Sequence, residues 1–197
     1  VSTVLDGGGA VGLSVRASAA VWDASPAAIT TTTDAPSIGT AAELATSLAL
    51  PALVVPGDDA ADQAPTDPIG AELERLGVTH VLHVGPGAPE LPGVEVVTSV
   101  EDLPEHDPPS PLAGVLAVSV VGKQTKGTTV ALATLQAAGA DVLELTQADP
   151  RVEPADVAAM AQADPSVVIG VGSRFGPQGV FGRRVATAVT GVELPGG

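Results

Sequence analysis

Residues 114–138 read GVLAVSVVGKQTKGTTVALATLQAA, and this stretch decides the fold class. A valine-rich apolar run is followed by a turn with glycine and lysine, and then by a run of helix-forming residues. A strand, a short turn and a helix in this order are typical of a parallel sheet that is covered by helices. The stretch therefore predicts an α/β unit.

The turn in this stretch partly matches a phosphate-binding loop. The pattern G-x-x-x-x-G-K-[ST] requires a lysine directly after its second glycine, to reach the outer phosphates. Gly122 and Gly127 have the right separation, but Thr128 stands where the lysine is needed. We therefore interpret Gly127 and Thr128 as a turn and a helix cap.

The same pattern occurs 88 residues earlier in the chain. Gly39-Thr40 matches Gly127-Thr128, and Leu44-Ala-Thr46 matches Leu132-Ala-Thr134. Matches at offsets of 87 to 89 residues continue through the following apolar runs, which indicates an internal duplication. Each copy reads as strand, helix, strand, acidic loop, helix and strand.

We predict an α/β protein of two tandem, doubly wound units built on parallel sheets. Residues 1–105 form the first repeat and residues 106–197 the second, in which residues 181–188 are read as the start of a degenerate third unit. Residues 12–22 predict a leading helix, because their apolar positions share one stripe. Residues 104–111, rich in proline and acids, predict the linker.

Composition excludes several classes of function. The chain has no cysteine, which excludes disulfides and thiol catalysis, and no run of about 18 apolar residues that would predict a membrane helix. The net charge is −15, and residues 1–107 carry 16 acids against two bases, whereas residues 108–197 carry seven against six. Such a surface repels nucleic acid, so we expect no nucleic-acid partner.

A second glycine-rich stretch offers an alternative function. Gly7, Gly9 and Gly12 fit G-x-G-x-x-G after a short apolar run, and Asp34 follows at the distance of a ribose-binding acid. Asp6 would repel a pyrophosphate there, and glycine is common in this chain. A dinucleotide-binding or solute-binding protein that uses the Gly7 to Gly12 loop is therefore the alternative prediction.

Catalytic and metal signatures are weak. His80 and His83 are three residues apart, so on a strand they point to opposite faces and cannot share an ion. The acidic loop at residues 57–67 lacks calcium-loop spacing, and no G-x-S-x-G elbow occurs. We predict no catalytic residue, no cofactor and no metal.

Basic residues of the second half predict a binding surface. Lys123 and Lys126 follow one predicted strand and Arg174 follows another, so both loops emerge at the carboxyl edge of a parallel sheet. Cations beside helix N-termini oppose the helix dipole, which favours an anionic ligand there. The predicted binding residues are Lys123, Lys126, Gly127, Thr128, Arg174, Phe175, Arg183 and Arg184, with Phe181 expected beside them.

Two stretches resemble a known family. Residues 41–56 read AAELATSLALPALVVP, and residues 71–85 read AELERLGVTHVLHVG. They resemble the bacterial cell wall binding repeat of the second type, closely over residues 12–86 and weakly over residues 115–172. The resemblance implies α/β repeats that hold a surface protein noncovalently to anionic wall polymers, usually as three repeats.

Together these features predict a non-catalytic binding or scaffolding protein of the cell envelope. Its partner would be a wall polymer or an envelope protein, and its location would be extracytoplasmic, at the wall or anchored to the membrane by a segment outside this chain. The preference for alanine, glycine, valine, aspartate and arginine indicates a GC-rich, actinobacteria-like source. The sequence leaves ligand identity and oligomeric state open.

Overall fold

The computed structural model describes residues 1–56 and 68–190. The described strands are β1 (Ser2–Leu5), β2 (Ala27–Thr31), β3 (Ala52–Val54), β4 (His80–Val84), β5 (Glu95–Val97), β6 (Val115–Val120), β7 (Asp141–Leu145) and β8 (Val167–Val171). The described helices are α1 (Gly9–Val21), α2 (Ala35–Leu48), α3 (Pro68–Leu76), α4 (Lys126–Ala137), α5 (Pro154–Ala163) and α6 (Gln178–Thr190). Among the described helices, none has both the length and the apolar character needed to cross a membrane.

The predicted α/β class is confirmed, because the strands form two four-stranded parallel sheets. One sheet has the order β3-β2-β4-β5 and the other the order β7-β6-β8-β1. The predicted element order of the duplication is also confirmed, since β2, α2, β3, α3 and β4 recur as β6, α4, β7, α5 and β8. The predicted acidic loop at residues 57–67 lies outside the described residues.

The fourth strand of each sheet comes from a different part of the chain. In one sheet β5 follows β4, whereas in the other the N-terminal strand β1 takes the equivalent place beside β8. Ser2 pairs with Val168 and Leu5 pairs with Val171. The backbone of Gly182 on α6 lies so close to β1 that an added Cβ would meet the Ser2 hydroxyl oxygen at 2.6 Å. A glycine at this position therefore lets helix and strand pack closely.

The chain forms two compact units, named here by their central strands. The β6 unit contains residues 1–7, 111–124 and 139–190 of the described chain, and the β2 unit contains the described residues of 8–110 and 125–138. These units differ from the predicted division at residues 105 and 106. Strand β1 belongs to the β6 unit, and helix α4, which joins β6 to β7 along the chain, belongs to the β2 unit.

Local sequence explains where the two matching helices begin. Asp34 caps α2 by accepting a hydrogen bond from the Ser37 N–H at 3.0 Å, with a proline in the first turn. Thr125 caps α4 in a reciprocal capping box with Thr128. The predicted leading helix is confirmed as α1, which begins three residues earlier than residue 12.

The core of the β6 unit holds the two phenylalanines of the chain. Phe175 and Phe181 pack with their ring centroids 4.9 Å apart, and the missing side chain of Gly170 leaves the space for both rings. The segment read as the start of a third unit lies within α6, and its Phe181, Val185 and Ala188 belong to this core.

The β2 unit contains a buried charged cluster. Glu72 on α3 is only 4% exposed, and its carboxylate accepts hydrogen bonds from Ser18 at 2.5 Å and from Arg75 at 2.7 and 2.8 Å. Arg75 also donates to the Trp22 carbonyl at 2.8 Å, and the bonds to Glu72 raise the pKa of its guanidinium. This satisfied cluster joins α1 to α3.

Candidate functional site

Each sheet has one crevice where α/β proteins commonly bind ligands. Ligands bind beyond the carboxyl ends of parallel strands, at the point where the connections leave two neighbouring strands in opposite directions. In the β2 unit this point lies between β2, whose chain continues to β3, and β4, whose chain continues to β5. The equivalent place in the β6 unit lies between β6 and β8. The loops that follow β2, β4, β6 and β8 therefore contain the candidate ligand-binding residues.

Two cationic side chains emerge at the crevice of the β6 unit. Lys123 follows β6, and Arg174 lies in the 3₁₀ turn Ser173–Phe175 that follows β8. Both side chains are exposed, and among the described residues no carboxylate lies within ion-pairing distance of either. Because β6 and β8 are neighbouring parallel strands, the two cations stand at the same edge of one sheet.

The other predicted basic residues lie on helices α4 and α6. Lys126 is exposed at the first position of α4, which is counted with the β2 unit, and Arg183 is exposed on α6. The Arg184 Nε lies 3.3 Å from an Asp149 carboxylate oxygen, to which Arg151 also donates at 2.9 Å. The hydrogen bonds from Arg151 lower the pKa of Asp149 below its usual value. Arg184 therefore already has an anionic partner within the protein.

Gly127 and Thr128 have structural contacts rather than exposed ones. Thr128 is 4% exposed, and its hydroxyl accepts a hydrogen bond from the Thr125 N–H at 2.6 Å. Gly127 lies within α4 instead of in the turn, and a Cβ there would meet the Ala10 Cα of α1 at 2.8 Å. The N-cap of α4 is therefore Thr125, and Thr128 completes the capping box as the third helical residue. Gly127 permits close packing of α1 against α4.

The expectation that Phe175 and Phe181 flank the cations at the surface is wrong. Phe175 is 1% exposed and Phe181 is fully buried. With aromatic residues at only 2% of the chain, these large rings fill the core of the β6 unit, where their burial contributes most to stability.

The crevice of the β2 unit contains a carboxylate where the β6 unit has cations. Asp34 accepts hydrogen bonds from the Thr32 hydroxyl at 2.5 Å and from the Ser37 hydroxyl at 2.6 Å, besides the Ser37 N–H. These bonds, led by that of the Ser37 side chain, lower the pKa of Asp34 to about 2. The β2 unit therefore carries its own anion at the N-terminus of α2.

The two histidines of β4 have separate environments. His80 lies 3.3 Å from a Glu95 carboxylate oxygen on β5, whereas His83 is 8% exposed and its Nδ1 lies 3.1 Å from the Thr30 hydroxyl. Burial lowers the pKa of His83 and favours the neutral ring, although the nearby backbone of Gly87 and Pro86 opposes this effect. Within residues 1–56 and 68–190, no group of three or more acids and histidines is placed to hold a metal ion.

The glycine-rich Gly7 to Gly12 loop lacks the surroundings of a dinucleotide site. The fingerprint belongs to a strand, helix and strand whose two strands lie in one sheet. Here β1 and β2 lie in different sheets, although α1 connects them along the chain. Gly8 instead adopts a left-handed conformation as the N-cap residue of α1, with its φ at 75°.

Two buried hydroxyl groups escaped the sequence analysis. Thr134 on α4 exchanges hydrogen bonds with both the N–H and the C=O of Ala52 at 3.0 Å, and Ser14 on α1 accepts from the Val54 N–H at 3.0 Å. Both side chains therefore bond to the backbone of strand β3. The repeated Leu-Ala-Thr sequence singled out Thr46 and Thr134. It could not show which of the two threonines is buried.

Comparison of this chain with protein-family models, with curated proteins and with solved structures finds no match.

Proposed function

We propose that this chain is a non-catalytic binding protein of the bacterial cell envelope, which associates with an anionic wall polymer or an anionic envelope partner through the crevice of the β6 unit. One observation carries this proposal: Lys123 and Arg174 follow neighbouring strands, and neither has an ion-pair partner within residues 1–56 and 68–190. The resemblance to wall-binding repeats supplies the class of ligand, and an extracytoplasmic location belongs to the same proposal.

Charge supports an anionic ligand at this place. The chain has 23 acids and eight bases, so carboxylates greatly outnumber the cations that they could neutralise. Lys123 and Arg174 nevertheless have no carboxylate partner among the described residues, whereas Arg75, Arg151 and Arg184 do. Cations left unpaired at a sheet's ligand-binding edge are available to an external anion.

The contrast with the β2 unit supports the same ligand class. There the Asp34 carboxylate accepts hydrogen bonds from the hydroxyls of Thr32 and Ser37, which follow β2. The equivalent turn after β6 contains lysine and glutamine but no acidic residue. One crevice thus contains a built-in anion, and the other presents cations. The proposed ligand is therefore a phosphate- or carboxylate-bearing polymer that binds the β6 unit.

Cosedimentation with purified cell walls tests the proposal. Lys123→Ala and Arg174→Ala together are expected to weaken binding by roughly 5- to 30-fold, at about 0.5–1 kcal/mol for each exposed contact. Binding should fall with rising salt concentration and on walls stripped of their anionic polymer. Arg16→Ala is the matched control, since Arg16 is an exposed cation of the β2 unit that has no ion-pair partner in the described part of the chain.

Three results would contradict the proposal. Equal binding to stripped and intact walls would exclude the anionic polymer, and equal loss in Arg16→Ala and Lys123→Ala would indicate a general charge effect. Thermal stabilisation by NAD(P) or ATP, with no stabilisation by wall polymer, would favour the alternative solute-binding function.

A further inference from the structure

The two sheets differ at one outer edge. In a parallel sheet, alternate residues of an edge strand direct their N–H and C=O groups away from the sheet. On β3 these residues are Ala52 and Val54, because Pro51 and Val55 bond to β2. On β7 they are Val142 and Glu144, because Leu145 bonds to the residue after β6. Ala52 and Val142 are equivalent, since they pair with the matching residues Ile29 and Ala117.

Helices α1 and α4 cover the outer edge of β3. The Thr134 hydroxyl bonds to both backbone groups of Ala52, and the Ser14 hydroxyl accepts from the Val54 N–H. All three residues of β3 are fully buried. The edge is thereby closed to any further strand or helix.

The equivalent edge of β7 is open. Among the described residues, no group bonds to the outward N–H and C=O of Val142 and Glu144. Val142 is 37% exposed and is one of the few large apolar side chains at the described surface. Backbone groups and an apolar side chain are therefore available together at this edge.

Helix α2, which matches α4 in sequence, carries the same two residues on an exposed face. Gly127 and Thr134 lie two turns apart on α4 and face α1 and β3. Their matches on α2 are Gly39 and Thr46, which are both exposed. Nothing lies within 4 Å of a Cβ built on Gly39, and the Thr46 hydroxyl bonds only to carbonyls of its own helix.

We propose that the β7 edge of one molecule binds the Gly39–Thr46 face of α2 of a second copy of this chain. The contact would reproduce the bonding of Thr134 on α4 to β3, with Thr46 bonded to the outward backbone groups of Val142 and with the exposed Gly39 on the same face of α2. This inference rests on the internal duplication; it shares Lys123 with the proposed wall binding, but Val142, Gly39 and Thr46 belong to the self-contact alone.

The orientation of the contact follows from the internal one. Thr134 bonds to Ala52 at the start of β3. Trp22 at the C-terminal end of α1 donates to the Thr134 carbonyl, whereas Ser14 bonds to Val54 near the end of β3, so α1 runs antiparallel to β3. Gly127 packs on Ala10, one turn before Ser14, and therefore lies at the carboxyl end of β3. Helix α4 therefore runs antiparallel to β3. In the same orientation, Gly39 of the second copy lies at the carboxyl end of β7.

Charge at that end complements the helix. The exposed Glu43 stands one turn from Gly39 on α2, and the exposed Lys123 follows β6 at the carboxyl end of the sheet. Asp141 and Glu144 add negative charge along β7, and each copy carries a net charge of −15. Association should therefore be stronger when salt screens the overall repulsion.

The proposed contact joins two different surfaces, the β7 edge and the Gly39–Thr46 face of α2. Each copy of the chain carries both surfaces. Such a heterologous contact produces a ring or an open chain of molecules instead of a symmetric dimer. It can be blocked separately on either side, which allows a complementation test.

Sedimentation equilibrium in about 0.5 M salt, at protein concentrations up to about 1 mM, tests the proposal. The unchanged chain should associate, and Gly39→Gln or Val142→Lys should each weaken association at least about tenfold. Gly179→Gln and Val152→Lys are matched controls, because Gly179 is an exposed glycine of α6 with open space around it and Val152 is 51% exposed. The controls should associate like the unchanged chain.

Mixing the two blocked variants gives the decisive result. The Gly39→Gln variant retains an intact β7 edge and the Val142→Lys variant retains an intact α2 face, so an equimolar mixture should form a dimer and nothing larger. A monomeric unchanged chain over the whole concentration range would overturn the proposal. So would variants that associate normally, or blocked variants that form no dimer when mixed.

Discussion

Strands β3 and β7 occupy the same place in sheets of the same strand order, yet their surroundings differ. The outer edge of β3 is bonded to hydroxyls of two helices and fully buried, whereas β7 has an exposed edge with Val142 at the surface. The matching helices differ in the same way, since Thr134 is buried and Thr46 is exposed. Matching residues thus occupy matching places along the chain, while their neighbours in the fold determine what they contribute to stability.

Removing the Thr134 hydroxyl should have the largest effect on this contrast. Thr134→Val leaves the buried N–H and C=O of Ala52 without a partner, which should lower the free energy of unfolding by about 2–5 kcal/mol. Thr46→Val is the matched control, because its hydroxyl is exposed and bonds only within α2; it should change the free energy by about 0.5 kcal/mol or less. Urea unfolding of both variants measures the difference. Equal destabilisation would show that the β3 edge does not depend on Thr134.

The matching glycines should respond to alanine with opposite signs. Gly127→Ala places a Cβ 2.8 Å from the Ala10 backbone, so α1 and α4 must separate at a cost of about 1–3 kcal/mol. Gly39→Ala meets nothing within 4 Å and should stabilise the exposed helix by about 0.5–1 kcal/mol. Thermal midpoints that move in opposite directions would support the comparison. A midpoint raised by Gly127→Ala would show that the two helices do not need this close approach.

Much of the fold could be predicted from the sequence, because apolar runs of strand length alternate with helices in both copies. The partner of β1 could not be predicted. Its four residues have the character of a strand, but nothing in them specifies pairing with β8, about 165 residues away. The duplication likewise matched Gly39 with Gly127 and Thr46 with Thr134. It could not predict which residue of each pair is buried, because burial depends on which helices pack beside each sheet edge.

The candidate site was predictable to a similar extent. The parallel-sheet rule placed Lys123 and Arg174 at one edge of the sheet, since it requires only the order of strands and loops. It did not predict that Phe175, directly after Arg174, is buried in the core, because in the 3₁₀ turn Ser173–Phe175 successive side chains point in directions about 120° apart. Nor did it identify Asp34 as an internal anion, since that role depends on the hydroxyls of Thr32 and Ser37.

The smallest predicted effect concerns the caps of α2 and α4, which differ in their response to pH. The hydrogen bonds of Asp34 lower its pKa to about 2 in the folded protein, from an ordinary value of 3.8. The carboxylate therefore contributes to stability above about pH 4, and this contribution is lost as the pH falls from about 4 to about 2. The equivalent cap of α4 is the Thr125 hydroxyl, which does not ionise in this range.

Asp34→Asn should lower the thermal midpoint at pH 6. At pH 2 the midpoint of this variant should be close to that of the unchanged chain. Asp102→Asn, at an exposed acid for which the structure shows no side-chain hydrogen bond, is the control and should leave the pH profile unchanged. If Asp34→Asn lowered the midpoint equally at both pH values, the ionised carboxylate would not be what distinguishes the two caps.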